Sequence, residues 1–184
     1  IQVTSGQLAN VRGGVPVFAA FEGEQKPERL LPASSARDRA LGRLIAGSGF
    51  RGAPNEATLL PHRGRWVLVV GIGKSKDLSL ERVRQFAGTA AKAARARGQK
   101  AINLPLLSDR VLGSPATVAQ ALTEGVLLGL YRYDKLRTVP KHERNRNVES
   151  VTLVAERGGD VTSARRAVAK GQILADSVSL ARDL

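Results

Sequence analysis

Trp66-Val67-Leu68-Val69-Val70-Gly71-Ile72-Gly73-Lys74-Ser75 is the stretch on which the fold turns. Its opening is a near-continuous apolar run, which reads as a strand covered on both faces, the habit of a central strand in an α/β sheet. From Ser79 the period changes: Leu80, Val83, Ala87, Ala90 and Ala94 recur at helical spacing, with Ser79 a sound N-cap and Gly98 a sound stop. Residues 100–106 read as the next strand. Ser114-Pro115 then joins an N-cap to a proline in the first helical position, opening a helix that sets Val118, Ala121, Leu122, Gly125, Leu128 and Gly129 on one side. A strand over 148–155, the turn Gly158-Gly159-Asp160 and a final helix complete the run. Strand and helix alternate from Trp66 onward, which predicts a largely parallel sheet with helices on both faces.

Upstream, residues 1–3 and 15–21 read as strands separated by Arg12-Gly13-Gly14, and the polar 22–32, with Pro27 and Pro32, reads as a loop. A helix is expected over 35–46, ended by Gly47-Ser48-Gly49. Strands at 57–60 and 65–72 flank Pro61-His62-Arg63-Gly64, a hairpin with a four-residue connection. This first third is expected to add antiparallel or mixed edges to the sheet. The charged 138–147 is where the most flexible segment is expected. No internal repeat or low-complexity tract interrupts the pattern, so the reading is one compact α/β domain.

The final helix keeps one face apolar or small through Ala164, Ala167, Val168, Gly171, Leu174, Ala175, Val178 and Ala181. No glycine, asparagine or proline closes it before Leu184, and the chain starts at Ile1 without containing any methionine. The sequence therefore reads as part of a longer polypeptide, with the chemistry expected in the remainder.

Of 184 residues 42% are hydrophobic, enough for the core of one domain. The absence of cysteine removes thiol nucleophiles, disulfides and thiolate metal sites, and fits a reducing, cytosolic setting. No apolar run approaches the roughly 20 residues that cross a bilayer. Lys and Arg number 29 against 16 acids, a formal charge of +13. Two readings of that excess stay open: a basic solvated surface, or attraction to a polyanion.

The search for chemistry is mostly negative. His62 and His142 both fall in expected loops with no second histidine at helical spacing, and the acids are scattered among Arg and Lys. No nucleophile elbow is present. Gly71-Ile72-Gly73-Lys74-Ser75 follows a strand, as phosphate loops do, but lacks the spacing of a P-loop and the third glycine of a dinucleotide fingerprint. A glycine-permitted tight exit from a buried strand is the plainer reading, with an anion cradle the other. Two basic groups remain as candidate nucleic-acid contacts: Lys92, Arg95, Arg97 and Lys100, then Arg132, Lys135, Arg137, Lys141, Arg144 and Arg146. They would give salt-sensitive, sequence-independent binding to duplex DNA. Aromatics are only 4% of the chain, with Tyr131 and Tyr133 the pair near positive charge, which argues against single-strand recognition.

Several segments together resemble the N-terminal domain of the cytosol (leucyl) aminopeptidases, a family of metallopeptidases. The strand from Trp66 to Val70, running into Gly71-Ile72-Gly73-Lys74, looks like that family's central strand, and the helix over 80–96 is Ala-rich as it is there. Glu124-Gly125-Val126-Leu127-Leu128-Gly129-Leu130-Tyr131-Arg132-Tyr133-Asp134 is similar to a helix end of the family and is the most specific match. Residues 169–184, ending Ala181-Arg182-Asp183-Leu184, look like its helix leading into a second domain. The resemblance implies a macro-like three-layer fold, a mixed and mostly parallel sheet with helices on both faces, over 1–184 as a single N-terminal domain. It also implies a C-terminal catalytic domain, absent from this sequence, that holds two divalent metals, Zn or Mn. No catalytic, cofactor-binding or metal-binding residue carries over to this chain. A cytoplasmic homo-hexamer with no membrane contact is implied, as is DNA as a candidate second partner. The expectations are therefore an accessory domain serving assembly and active-site access; as the alternative, a DNA-binding module; and, ranked last, a nucleotide pocket at 71–75.

Overall fold

The computed structural model describes residues 1–23, 39–133 and 147–184. Its strands are β1 (Gln2–Ser5), β2 (Val15–Phe21), β3 (Ala57–His62), β4 (Arg65–Gly73), β5 (Ala101–Pro105) and β6 (Ser150–Ala155). The helices are α1 (Arg39–Gly47), α2 (Leu80–Ala96), α3 (Pro115–Leu130) and α4 (Val161–Asp183). The expected loop at 24–32, the start of the helix expected from 35, and 138–146 of the expected flexible segment lie outside the described residues.

One six-stranded sheet runs β1-β6-β5-β2-β4-β3. All pairings are parallel except β3 with β4. β4 is buried from Val67 onward, as its apolar run predicts, yet it stands one place from the edge. The middle of the sheet belongs to β2, inserted between β4 and β5 and buried at all seven positions. Mixed edges occur on one side only: β3 is antiparallel, whereas β1 runs parallel to β6. β4 passes through α2 to β5, and β5 through α3 to β6, both steps advancing the same way across the sheet. Right-handed crossovers in one direction place their helices on one face.

Period-two alternation sorts the strand side chains between two clusters. Val17, Ala19 and Phe21 of β2, with Leu68, Val70 and Ile72 of β4, meet α2, α3 and α4 in the larger core. Phe18, Ala20, Val67 and Val69 face the other way, onto Leu41 and Ile45 of α1 and onto Leu8. The result is a three-layer α/β arrangement with long helices on one face and the short α1 on the other.

Local chemistry sets the helix ends as read from sequence. The Ser79 hydroxyl accepts from the Arg82 amide at 3.4 Å, and that of Ser114 from the Thr117 amide at 3.2 Å. The hairpin differs from expectation. Pro61 and His62 still pair, with Trp66 and Arg65, so the connection is Arg63-Gly64 alone. Both turn residues have positive φ, 49° and 75°, the twist of a two-residue type I′ turn. Pro61 is tolerated because β3 is an edge strand.

Buried Asn103 explains the turn before β2. Its amide donates to the carbonyls of Val11 and Gly14 at 3.2 and 3.3 Å, tying 11–14 to β5. In a core this apolar, a side chain so buried keeps its place by being hydrogen-bonded.

Candidate functional site

The exit of β4 is built by close backbone approach. A side chain at Gly71 would run into the Gly52–Ala53 backbone, its Cβ 2.6 Å from the carbonyl carbon of Gly52. The Gly71 amide donates to Glu56 O at 2.8 Å and the Gly73 amide to Gly52 O at 3.1 Å. The Glu56 carboxylate in turn accepts from the Arg51 and Ala53 amides. The two glycine amides that an anion would need are therefore held by protein carbonyls, and the tight-exit reading accounts for the motif.

The specific stretch from Glu124 to Tyr133 sits where helices cross. Gly125 and Gly129 of α3 face Gly88 of α2: a Cβ on Gly125 would stand 2.8 Å from Arg84 Cα, and one on Gly129 2.7 Å from Gly88 Cα. Beside this contact Arg84 Nε donates to Glu124 Oε2 at 2.6 Å, and Gln120 Nε2 to Glu124 Oε1 at 2.7 Å. Both carboxylate oxygens are thus engaged in a nearly buried setting, the condition for holding a charge there. α3 is buried at every position from Val118 to Val126 except Gln120, because α4 covers its other flank. The one-sided packing read from its sequence understates this.

Past α3, the Tyr131 hydroxyl donates to Asp183 Oδ1 at 2.6 Å, and the Arg182 guanidinium lies over the Tyr131 ring, 5.5 Å from its centre. The hydrogen bond from the phenol to Asp183 is the main cause that pushes the Tyr131 pKa up to about 12. Two stretches separated by 52 residues are joined here, the end of α3 and the last turn of α4.

Of the basic candidates, Lys135, Arg137, Lys141, Arg144 and Arg146 lie outside the described residues. Arg95 donates to Leu130 O at 3.0 Å, which brings it to the end of α3 that leads into Arg132. Lys100 pairs with Glu149 at 3.0 Å. Lys92 and Arg97 are exposed but about 140° apart around α2, at about 100° per residue. The first group therefore does not form a single face.

No group of three or more His, Cys, Asp or Glu that could hold a metal occurs among the described residues. Several acids have other work: Glu56 accepts loop amides, Glu124 holds Arg84, Asp109 accepts from the Val111 amide, and Asp183 accepts from Tyr131. Their donor set does not fit a two-metal centre. Among the described residues no helix is long and apolar enough to cross a membrane.

The last helix also departs from its sequence reading. Leu174, Val178 and Ala181, expected on the buried face of α4, are exposed, and that face ends at Ala175. Ile173 and Leu180 are more exposed still, at 67% and 64%. The signal was present as a second spacing, Ile173-Ser177-Leu180-Leu184, overlaid on the first.

Fold and geometry together define a mostly parallel three-layer α/β domain whose polar clusters largely brace its own helices. The chain belongs to the cytosol aminopeptidase family, whose N-terminal domain profile matches residues 15–140. It is 33% identical, over its whole length, to a probable cytosol aminopeptidase of Roseiflexus castenholzii, of which it covers 36%. A Persephonella marina relative of the same description is 28% identical, again over the whole chain and 37% of that protein. The chain thus spans little more than a third of the length of these relatives. Among solved structures, the bottromycin maturation enzyme BotP in complex with Mn is similar at 27% identity and a TM-score of 0.62, across 91% of this chain and 30% of that one. A tomato leucine aminopeptidase mutant shares the fold, with a TM-score of 0.72 at 18% identity, across 97% of this chain and 36% of that one.

Proposed function

We propose that this chain is the accessory N-terminal part of a metal-dependent aminopeptidase, inactive by itself and joined in the parent polypeptide to a C-terminal catalytic domain. That domain would carry the two divalent metals, Zn or Mn, which supply water activation and hold the scissile carbonyl. The role of the present residues is to build a rigid scaffold that serves assembly, as a cytoplasmic homo-hexamer, and shapes access to the active site. One observation carries the reading: the whole chain aligns with little more than a third of a probable cytosol aminopeptidase, and the matching profile is an N-terminal domain. The internal use of Glu56, Glu124 and Asp183 supports it.

The test is hydrolysis of a leucine amide. The 184-residue chain with added Mn²⁺ is expected to give no turnover above a metal-only blank. The same chain continued through its downstream coding sequence is expected to be active. Turnover by the short chain, or a continuation without a Lys and carboxylate ligand set, would overturn the reading.

A further inference from the structure

The two edges of the sheet are guarded differently. β3 carries Pro61, which cannot donate to an added strand, whereas β1 has neither proline nor charge over Gln2–Ser5. Ser5 stands opposite Ala155, and the Gly6 amide donates to Ala155 O at 2.9 Å. In a parallel ladder this turns the backbone groups of Thr4 and Gly6 toward β6 and those of Val3 and Ser5 outward, along the open edge. The Val3 carbonyl is met there by Arg165, whose Nη2 donates to it at the long distance of 3.4 Å. Beside this contact a cavity of about 410 Å³ opens between β1 and α4, lined by Ile1 and Val3 on one side and by Arg165, Val168, Ala169 and Gln172 on the other. Among the described residues lining it, Arg165 is the one with a charged side chain, and α4 carries no acid before Asp176. Arg166 and Lys170 are exposed on the same stretch of helix.

We infer that this edge takes an extended acidic peptide segment of another polypeptide, added to β1 as a further strand. Main-chain hydrogen bonds to Val3 and Ser5 anchor the segment, and side chains on one of its faces enter the cavity. The charge pattern chooses the occupant. The long bond to the Val3 carbonyl engages one donor of the Arg165 guanidinium and leaves the rest of the fork for a carboxylate, the acceptor that matches its geometry. A second copy of this chain is the poorer fit. Pairing β1 with β1 across a two-fold axis normal to the sheet sets two groups of Arg165, Arg166 and Lys170 side by side, and like charges so placed repel. The site does not draw on the catalytic role proposed above.

The probe is a fluorescent peptide of alternating valine and glutamate, about six residues long like an ordinary strand and N-acetylated to close it to aminopeptidase cleavage. Its anisotropy is expected to rise on titration with the 184-residue chain, and equally with that chain continued through its downstream coding sequence. Replacing glutamate by lysine in the probe, or methylating its backbone amides, is expected to weaken binding about tenfold, because each removes hydrogen bonds to the edge or to Arg165. Arg165→Glu is expected to do the same. Ser5→Pro removes an outward amide where an edge strand tolerates proline, so it is expected to weaken binding without moving the melting temperature. Lys92→Glu, an equal change of charge at an exposed position on α2, is expected to leave binding intact. No binding, an equal loss with Lys92→Glu, or a methylated probe that binds as well as the plain one would overturn the inference. So would binding that vanishes in the longer protein, which makes the parent's own polypeptide the occupant, or a dimer of the short chain dispersed by Ser5→Pro, which makes it a second copy.

Discussion

At the scale of single residues, the glycines at the α2–α3 crossing set how closely the two helices approach. Alanine in place of glycine inside a helix ordinarily adds about 1 kcal/mol of stability. At Gly125 the added methyl has no room, because Arg84 backbone atoms already occupy its position. Overpacking costs about 1–3 kcal/mol, and more where backbone rather than a flexible side-chain tip must yield. The clash therefore outweighs the propensity, and Gly125→Ala is expected to destabilise the chain by about 2 kcal/mol in urea titration. Gly42→Ala in α1, where nothing lies within 4 Å of the new Cβ, is expected to move stability the other way by about 0.5–1 kcal/mol. The same sign at both sites would refute the close-packing account. Sequence alone showed Gly125 and Gly129 on one helix face, but their partner Gly88 is distant in the chain and could not be read there.

At the scale of elements, capping was legible and neighbours were not. Ser79, Ser114 and Pro115 act within one turn of their own helix, so their chemistry is written locally. The place of β2 depends on parallel pairing with strands far along the chain, which no local period reports. The two-residue hairpin was hidden because Arg63 takes a positive φ, a conformation usually signalled by Gly or Asn. The link between α3 and α4 was equally invisible, yet it makes a pH-dependent prediction. Folding raises the Tyr131 pKa from 10.0 to about 12, chiefly through the bond to Asp183, with desolvation and the Asp183 charge adding and Arg182 opposing. The native state thus holds the phenol proton more tightly than the unfolded one. Its stabilising contribution is complete below about pH 10 and is lost as pH rises through about 12. On a Tyr133→Phe background, phenolate absorbance is expected to titrate near 12, and Asp183→Ala to bring the midpoint back toward 10. A midpoint unmoved by Asp183→Ala would mean that the bond does not form in solution.

At the scale of the whole molecule, the question is whether a chain from the cytosol aminopeptidase family itself holds metal. A ligand that binds only the native state adds RT ln(1 + [L]/Kd) to stability, about 2.7 kcal/mol at a concentration of 100 Kd. For a chain of 184 residues each kcal/mol moves the melting temperature by about 2–4 °C. A site with a Kd of about 10 μM, given about 1 mM Mn²⁺, would therefore raise the melting temperature by roughly 5–10 °C over an EDTA control. Glu56, Glu124 and Asp183 accept from amides, a guanidinium and a phenol, and drawing them into a metal cluster would break contacts that hold the loop at 51–56, the α2–α3 crossing and the end of α4. The expected result is a shift below about 1 °C with Mn²⁺ or Zn²⁺, far under what even a modest site would produce. A rise of several degrees would place a metal centre within this scaffold and remove the need for a separate catalytic domain to supply it.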